Sequence, residues 1–381
     1  MAAATSYATH AMASPAGQWA ILALLSLSVS LTALPAGTGF SENPKLICCK
    51  IYISESRNKS ALDEIDKAAR NDPENVVVLS KFGDHIYNRV RYTLVSYIST
   101  SEWIYSNEGD ISKLTLNVSS PIKGVLLEMV KAAISSTLSL DSHQGEHPRI
   151  GIIDDLSFHP LGDAKMEDAV YLAKDVASDI ASSKVPVFLY YEAHPQRKTL
   201  SDVRRDLGYY KKNGTAGQRS GVMELNTTEG NEPDVVFQKN KPDVCPAVVD
   251  QQILQKKGIT TVGAMHFVEG YNVPVRSENF KKVEDIVKRL REQLGGRGGE
   301  GPPKFLALAL RHGSFVEVGC LLDPNYLRAD QVQDKVKQIA AEQGLEDKVE
   351  KGYYTDITKD MILLHLSKIL YENRILGVCQ S

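Results

Sequence analysis

Phe305-Leu-Ala-Leu-Ala309 and Phe315-Val-Glu-Val-Gly-Cys-Leu321 are two short, apolar, β-rich runs separated by Leu310-Arg-His-Gly-Ser314. Runs of that length flanking a Gly-containing break read as a hairpin turning around His312-Gly313. Working outward, Asn279 to Leu294 carries Phe280, Val283, Ile286, Val287 and Leu290 at helical spacing, and Gly263 to Val275 contains a strand before it. Beyond the hairpin, Ala329 to Gln343 and Lys359 to Tyr371 read as helices with a weak strand between them. The order β-α-β-β-α-β is that of a ferredoxin-like unit.

The preceding half repeats the alternation with additions. Leu46 to Ser54 reads as a strand, followed by a helix capped by Ser60 and ending near Asn71. Strands are expected at Val76 to Leu79 and Arg91 to Ile98, then a helix from Pro121 to Leu138. Arg149 to Asp154 reads as a strand, Met166 to Ser183 as an amphipathic helix and Val185 to Tyr191 as another strand. Residues 194–257 are polar and irregular with helical pieces. The expectation is an α/β protein of two units, 45–257 and 258–381. Each sheet leaves a face that needs cover, so the two sheets or their edges should meet.

Several classes of function are disfavoured. A net charge of −3 gives no basic surface for nucleic acid. The five cysteines are odd in number, with Cys48 and Cys49 adjacent and no CxxC pair, so neither a disulfide framework nor a zinc site is indicated. Gly296, Gly298 and Gly301 make a formal GxGxxG, but it follows a helix and precedes a strand, the reverse of a dinucleotide fingerprint; it reads as a connector. Four N-x-[ST] triplets, at Asn58, Asn117, Asn213 and Asn226, add little. Residues 1–44 stand apart from the fold. Trp19 to Leu34 is largely apolar and precedes Pro35-Ala36-Gly37, yet no Lys or Arg comes before it. A misassigned leader, a cleaved signal and an anchor are the three readings of that segment.

Chemistry concentrates in His143-Gln-Gly-Glu-His147-Pro-Arg149-Ile-Gly151-Ile-Ile-Asp154. Gly145 permits a tight turn and Pro148 restricts the backbone after His147. Arg149 places a cation beside an imidazole that can take and return a proton near neutrality. An arginine can clamp a carboxylate through parallel hydrogen bonds. On these residues alone, an active-site loop and an ordinary surface loop both remain open.

The same segment, Gly145 to Gly151 continuing to Asp154 and Phe158, resembles the signature of the formiminotransferase domain, the folate-binding half of formiminotransferase-cyclodeaminase. Ser54-Glu55, Asn88-Arg89 with Tyr92-Thr93, Val185 to Ala193 with Arg197, Leu200 and Arg204, Gly258 to Ala264, and Tyr271-Asn272 resemble further family segments in order. The resemblance runs from Leu46 to the C-terminal helix, with no counterpart of the cyclodeaminase half. It implies two ferredoxin-like subdomains whose sheets face each other across a folate-binding tunnel. It implies exchange of a formimino (or formyl) group between N5 of tetrahydrofolate and the amino group of glutamate. His147 would be the general acid/base, and Arg89, Arg149, Asp154, Glu192 and Arg204 would contact substrate. Folate enters as substrate, with no metal; a homodimer and a cytoplasmic location are expected, with Golgi association or a signal-directed location as alternatives and membrane contact only through the leader. The chain departs from the family pattern at Tyr52, where Asn is usual, at Phe82 near Asp84, and at Met265-His266, preceded by an insertion around Val248 to Lys257. Those departures imply an alternative, a folate-binding or scaffold protein with weak or no catalysis.

Overall fold

The computed structural model describes residues 44–104, 114–207, 240–295 and 305–365. The leader, the Gly-rich connector, Asn213, Asn226, Cys379 and the end of the last expected helix lie outside the described residues. In chain order the elements of the first unit are β1 (Lys45–Ile53), α1 (Lys59–Ala69), β2 (Val76–Asp84), β3 (Arg89–Tyr97), β4 (Ser99–Ile104) and β5 (Leu114–Ser119). They continue with α2 (Ile122–Ser135), β6 (Ile153–Gly162), α3 (Met166–Ser182), β7 (Val187–Tyr191), α4 (Leu200–Asp206), α5 (Gln251–Lys257) and β8 (Thr260–Ala264). The second unit holds β9 (Glu269–Val275), α6 (Phe280–Gln293), β10 (Phe305–His312), β11 (Phe315–Leu322), α7 (Ala329–Ala341) and β12 (Tyr353–Tyr354).

Six strands form the first sheet in the order β2-β3-β1-β6-β8-β7, and four form the second as β10-β11-β9-β12. The first four strands of the larger sheet have the same ferredoxin-like order as the smaller sheet. Helix α3 then carries the chain across to β7, and β8 inserts between β6 and β7, parallel to both. Strand β8 therefore belongs to the first sheet, and the division expected before residue 258 instead follows Ala264. A five-residue strand buried throughout carries no alternation that would assign it to one sheet.

Side-chain alternation makes each sheet two-faced. From β1, Ile47, Cys49, Ile51 and Ile53 join Val90, Tyr92 and Leu94 of β3 in the core beneath α1, α2 and α3. The intervening residues, Lys50, Tyr52, Arg89, Arg91 and Thr93, point the other way. In the second unit, Val283, Ile286, Val287 and Leu290 of α6 and Val332, Val336 and Ile339 of α7 cover β9 to β11. Helix α1 is capped by Asn58, not Ser60: Asn58 Oδ1 accepts from Ala61 N at 3.1 Å. The hairpin closes through a two-residue turn in which Gly313 takes a φ of +63°.

The uncovered faces of the two sheets meet, as expected. Phe267 and Ile362 pack on Cys48, Val77, Leu79, Val95 and Leu161. Beside them, Asp356 pairs with Lys50 at 2.7 Å and Arg91 at 3.1 Å and accepts from Thr93 Oγ1 at 2.8 Å, all almost wholly buried. Burial alone would raise the Asp356 carboxyl, but Arg91 and Lys50 together hold it below its ordinary value. At the other end, Tyr87 Oη donates to Glu317 at 2.7 Å, and Asp84 meets His312 at 2.9 Å. These contacts fix the hairpin tip against the β2–β3 turn and leave a narrow crevice between the sheets.

Candidate active site

Three turns converge at the edge of that crevice. The β1–α1 turn is built on Glu55, whose Oε1 accepts from the backbone N–H groups of Ser56, Arg57 and Asn58 at 2.6–3.0 Å. In the β2–β3 turn, Asn88 has a φ of +49°, a region that Asn tolerates better than most side chains. Its Oδ1 accepts from Ser56 N at 2.7 Å, and its Nδ2 donates to Gln144 O at 2.9 Å. One asparagine thus joins all three turns. The third is the loop from His143 to Gly151. Gly145 lies so close to the Tyr87 carbonyl that a Cβ would sit 2.4 Å from its oxygen, so no larger residue fits without moving the backbone.

Arg149 holds this loop from within. Its guanidinium donates to the carbonyls of His143 at 3.0 Å, His147 at 3.2 Å and Gly145 at 3.3 Å. It was expected to open a strand, which it does not; these contacts tie it to the carbonyls of its own loop. The strand begins four residues later, at Ile153, because Asp154 Oδ1 accepts from Ile150 N at 2.7 Å and turns the chain.

His147, Arg89, Asp154 and Arg204 are brought together. Arg89 Nη1 lies 2.6 Å from Asp154 Oδ2 and 3.2 Å from His147 Nδ1, while Arg204, from the last turn of α4, approaches the same Asp154 oxygen at 3.6 Å. Asp154 is fully buried; burial opposes its ionisation, yet Arg89 and Arg204 hold its carboxyl below the usual range. His147 Nδ1 lies 2.6 Å from Pro148 O, a contact that favours the proton on Nδ1 and leaves Nε2 without it in the neutral ring. Burial first, and the Arg89 charge second, push the imidazole down to about 3. The sequence suggested titration near neutrality; burial and Arg89 instead keep His147 neutral. The ring of Tyr87 stands edge-on to His147 at 5.4 Å and to His312 at 4.9 Å.

Glu192 is placed elsewhere. Its carboxylate pairs with Arg197 at 2.8 Å, and it borders a surface hollow with Met166 and Tyr171 of α3. The departures from the family pattern have defined positions. Tyr52 lies over the Arg89 guanidinium at 4.5 Å, Phe82 is 5.6 Å from that of Arg91, and Met265 is buried with Tyr190 and Tyr191. Sequence reasoning missed Asp155, which lines the crevice with Lys50, Tyr52, Ser157, Leu306 and Leu321. A second acidic residue inside a buried strand was the available signal. Among the described residues no cluster of three or more His, Cys, Asp or Glu is arranged to hold a metal, and no helix is long and apolar enough to cross a membrane. The described cysteines are free thiols.

Residues 46–265 match the sequence family described as the formiminotransferase domain, N-terminal subdomain. The chain is 37% identical over 319 residues to the formiminotransferase cyclodeaminase-like protein of Arabidopsis thaliana, covering 83% of this chain and 94% of that one. It is 32% identical over 254 residues to the glutamate formimidoyltransferase of Thermoplasma acidophilum, covering 66% and 69% respectively. It is 28% identical over 265 residues to the formimidoyltransferase-cyclodeaminase of Mus musculus, covering 68% of this chain and 40% of that protein. A mixed α/β fold with two ferredoxin-like sheets, the four-residue cluster at Asp154 and these similarities agree: the chain belongs to the formiminotransferase-domain family.

Proposed function

We propose that the protein is a folate-dependent transferase that moves a formimino (or formyl) group between N5 of tetrahydrofolate and the amine of glutamate. The observation that carries this reading is the His147 arrangement: a neutral imidazole with Nδ1 tied to Pro148 O, beside the Arg89–Asp154–Arg204 cluster. In the forward direction the glutamate amine attacks the formimidoyl carbon, and Nε2 of His147 takes the proton the amine must lose. Collapse of the tetrahedral intermediate breaks the carbon–N5 bond, and the imidazolium returns that proton to N5. Such acid–base help is worth roughly 10²–10⁴-fold.

An imidazole held down at about 3 is a weak base but, once protonated, a ready acid. Carboxylates of glutamate or of the folate tail suit Arg89 and Arg204. Their negative charge would offset the repulsion that depresses His147 and bring it nearer to neutrality as substrate binds. Arg149 serves as a positioning residue. The homodimer remains part of the proposal.

The test is steady-state release of tetrahydrofolate from 5-formiminotetrahydrofolate and glutamate, beside a His147→Ala variant. Turnover lost in the variant with folate affinity retained supports the reading; equal turnover in both refutes the role of His147. Tyr52 favours a second reading, a folate-binding protein without turnover, since its ring lies over Arg89 where a carboxylate would approach. That reading predicts saturable folate binding and no product with any amine acceptor.

A further inference from the structure

Asp155 belongs to none of the contacts used above, although it follows Asp154 directly. It is 4% exposed and sits in the crevice between the two sheets, with Tyr52 and Ser157 on its own side and Leu306 and Leu321 opposite. Thr261 Oγ1 lies 2.7 Å from its Oδ1, and Tyr190 Oη donates to its Oδ2 at 3.2 Å. The Tyr190 ring reaches this position by lying over Gly263, where an added Cβ would come within 2.3 Å of it. Strands β6, β7 and β8 each contribute one group, so the carboxylate plane is set by the sheet itself.

Its charge is poorly answered. Among the described residues none forms an ion pair with Asp155: Lys50, which lines the same crevice, pairs with Asp356, and Arg204 favours the ionised form through its charge alone. Burial raises this carboxyl to about 6 against the pull of Arg204 and Thr261, the response of an acid that lacks a close cation. A buried carboxylate holding only two hydroxyl donors has one further acceptor position on each oxygen. Paired, parallel N–H donors fit such a carboxylate best. The walls on either side, aromatic from Tyr52 and Tyr190 and aliphatic from Leu306 and Leu321, suit a flat group.

We propose that Asp155, oriented by Thr261 and Tyr190, is the binding group for a flat N–C–N unit that presents two N–H donors. The proposal rests on the folate-transferase reading in one respect: that reaction brings two such units, the amidine once it is carried on the glutamate nitrogen, where both nitrogens bear hydrogen, and the 2-amino-pyrimidinone edge of the pterin ring. Glutamate offers neither.

The test uses Asp155→Asn, which keeps the shape and replaces one acceptor with a donor, and Tyr190→Phe, which keeps the ring and removes the orienting hydroxyl. Calorimetry measures tetrahydrofolate, 5-formyltetrahydrofolate and N-formimidoylglutamate on the wild-type protein and both variants, with near-ultraviolet circular dichroism as a control for folding. Ligand-observed NMR follows 2-aminopyrimidin-4-one and acetamidinium, which carry the two N–C–N units alone. Asp155→Asn is expected to weaken binding of its true ligand about 10–100-fold, with Tyr190→Phe weakening it less in the same direction. Weakening of both folates and of the pyrimidinone assigns the pterin edge. Weakening of N-formimidoylglutamate and acetamidinium alone assigns the amidine carried by glutamate. Affinities unchanged within twofold for all five ligands in folded Asp155→Asn overturn the proposal. Wild-type protein that binds the small N–C–N probes in an Asp155-dependent way but no folate refutes the transferase reading and leaves this site standing; binding of none of the five overturns both.

Discussion

Replacing Arg89 with Gln removes the cation nearest His147, and the response of the imidazole can be worked from the geometry. Arg89 Nη1 is 3.2 Å from His147 Nδ1. At an effective dielectric of about 20, a unit charge at that separation opposes imidazolium formation by about 5 kcal/mol, or roughly four pKa units. That is an upper limit, because Asp154 lies against the same guanidinium at 2.6 Å and pulls the imidazole the other way. Arg204 stays in the variant and burial is unchanged, so a rise of about 1–2 units is expected. His147 should therefore move from about 3 to ~4–5. Histidine ring resonances followed by NMR from pH 8 to pH 5, with a His147→Gln sample for assignment, read this directly. In the wild type the His147 signal should stay flat across the range, and in Arg89→Gln it should begin to shift at the acid end. The acid limb of kcat/KM should move upward with it. A wild-type signal that titrates near 6.5, or a variant signal as flat as the wild type, refutes the electrostatic account of the site.

Two further predictions concern stability. His159 is fully buried, and burial, with Lys50 second, pushes it down to about 3. Its folded pKa lies below the unfolded one, so the unfolded chain takes the proton first and stability falls as pH drops below about 6.5. At pH 5 that costs about 2 kcal/mol, while Asp155, raised to about 6, offsets about 1 kcal/mol by gaining its proton earlier in the folded state. Urea unfolding at pH 7 and pH 5 should show a smaller acid loss in His159→Gln than in the wild type, and equal losses contradict this. Asp356→Asn leaves Lys50 and Arg91 buried without their shared carboxylate and should cost about 3–5 kcal/mol in the same assay; a loss under about 1 kcal/mol contradicts the interface described here.

The hairpin at Phe305 to Leu321 was legible because alternation, length and Gly313 all point to one structure. The two-unit alternation was legible for the same reason. What the sequence concealed depends on long-range partners. Strand β8 reads the same whichever sheet it joins, and only its pairing with β6 and β7 decides. The start of β6 was placed early because Arg149-Ile-Gly-Ile-Ile looks extended, while the Asp154 side chain that stops the strand there comes after the run. Within the site, His147, Arg89, Asp154 and Arg204 were nameable through the resemblance and do meet. Arg149 and Glu192 were named on the same grounds; Arg149 donates to loop carbonyls and Glu192 pairs with Arg197, partners that the sequence does not announce. Asp155 was passed over because its importance comes from Thr261, Tyr190 and the opposing sheet, none adjacent in sequence.

The central claim is that this site moves a one-carbon unit from folate to glutamate with His147 handling the proton. Tetrahydrofolate carrying a ¹³C-labelled formimino carbon on N5, incubated with glutamate and the purified protein, tests it most directly by NMR. The account predicts that the labelled carbon leaves the pterin signal and appears on the glutamate nitrogen, and that His147→Gln abolishes the transfer while still binding the folate. Label that stays on N5 with wild-type protein saturated in both ligands, or that transfers equally fast in His147→Gln, contradicts it.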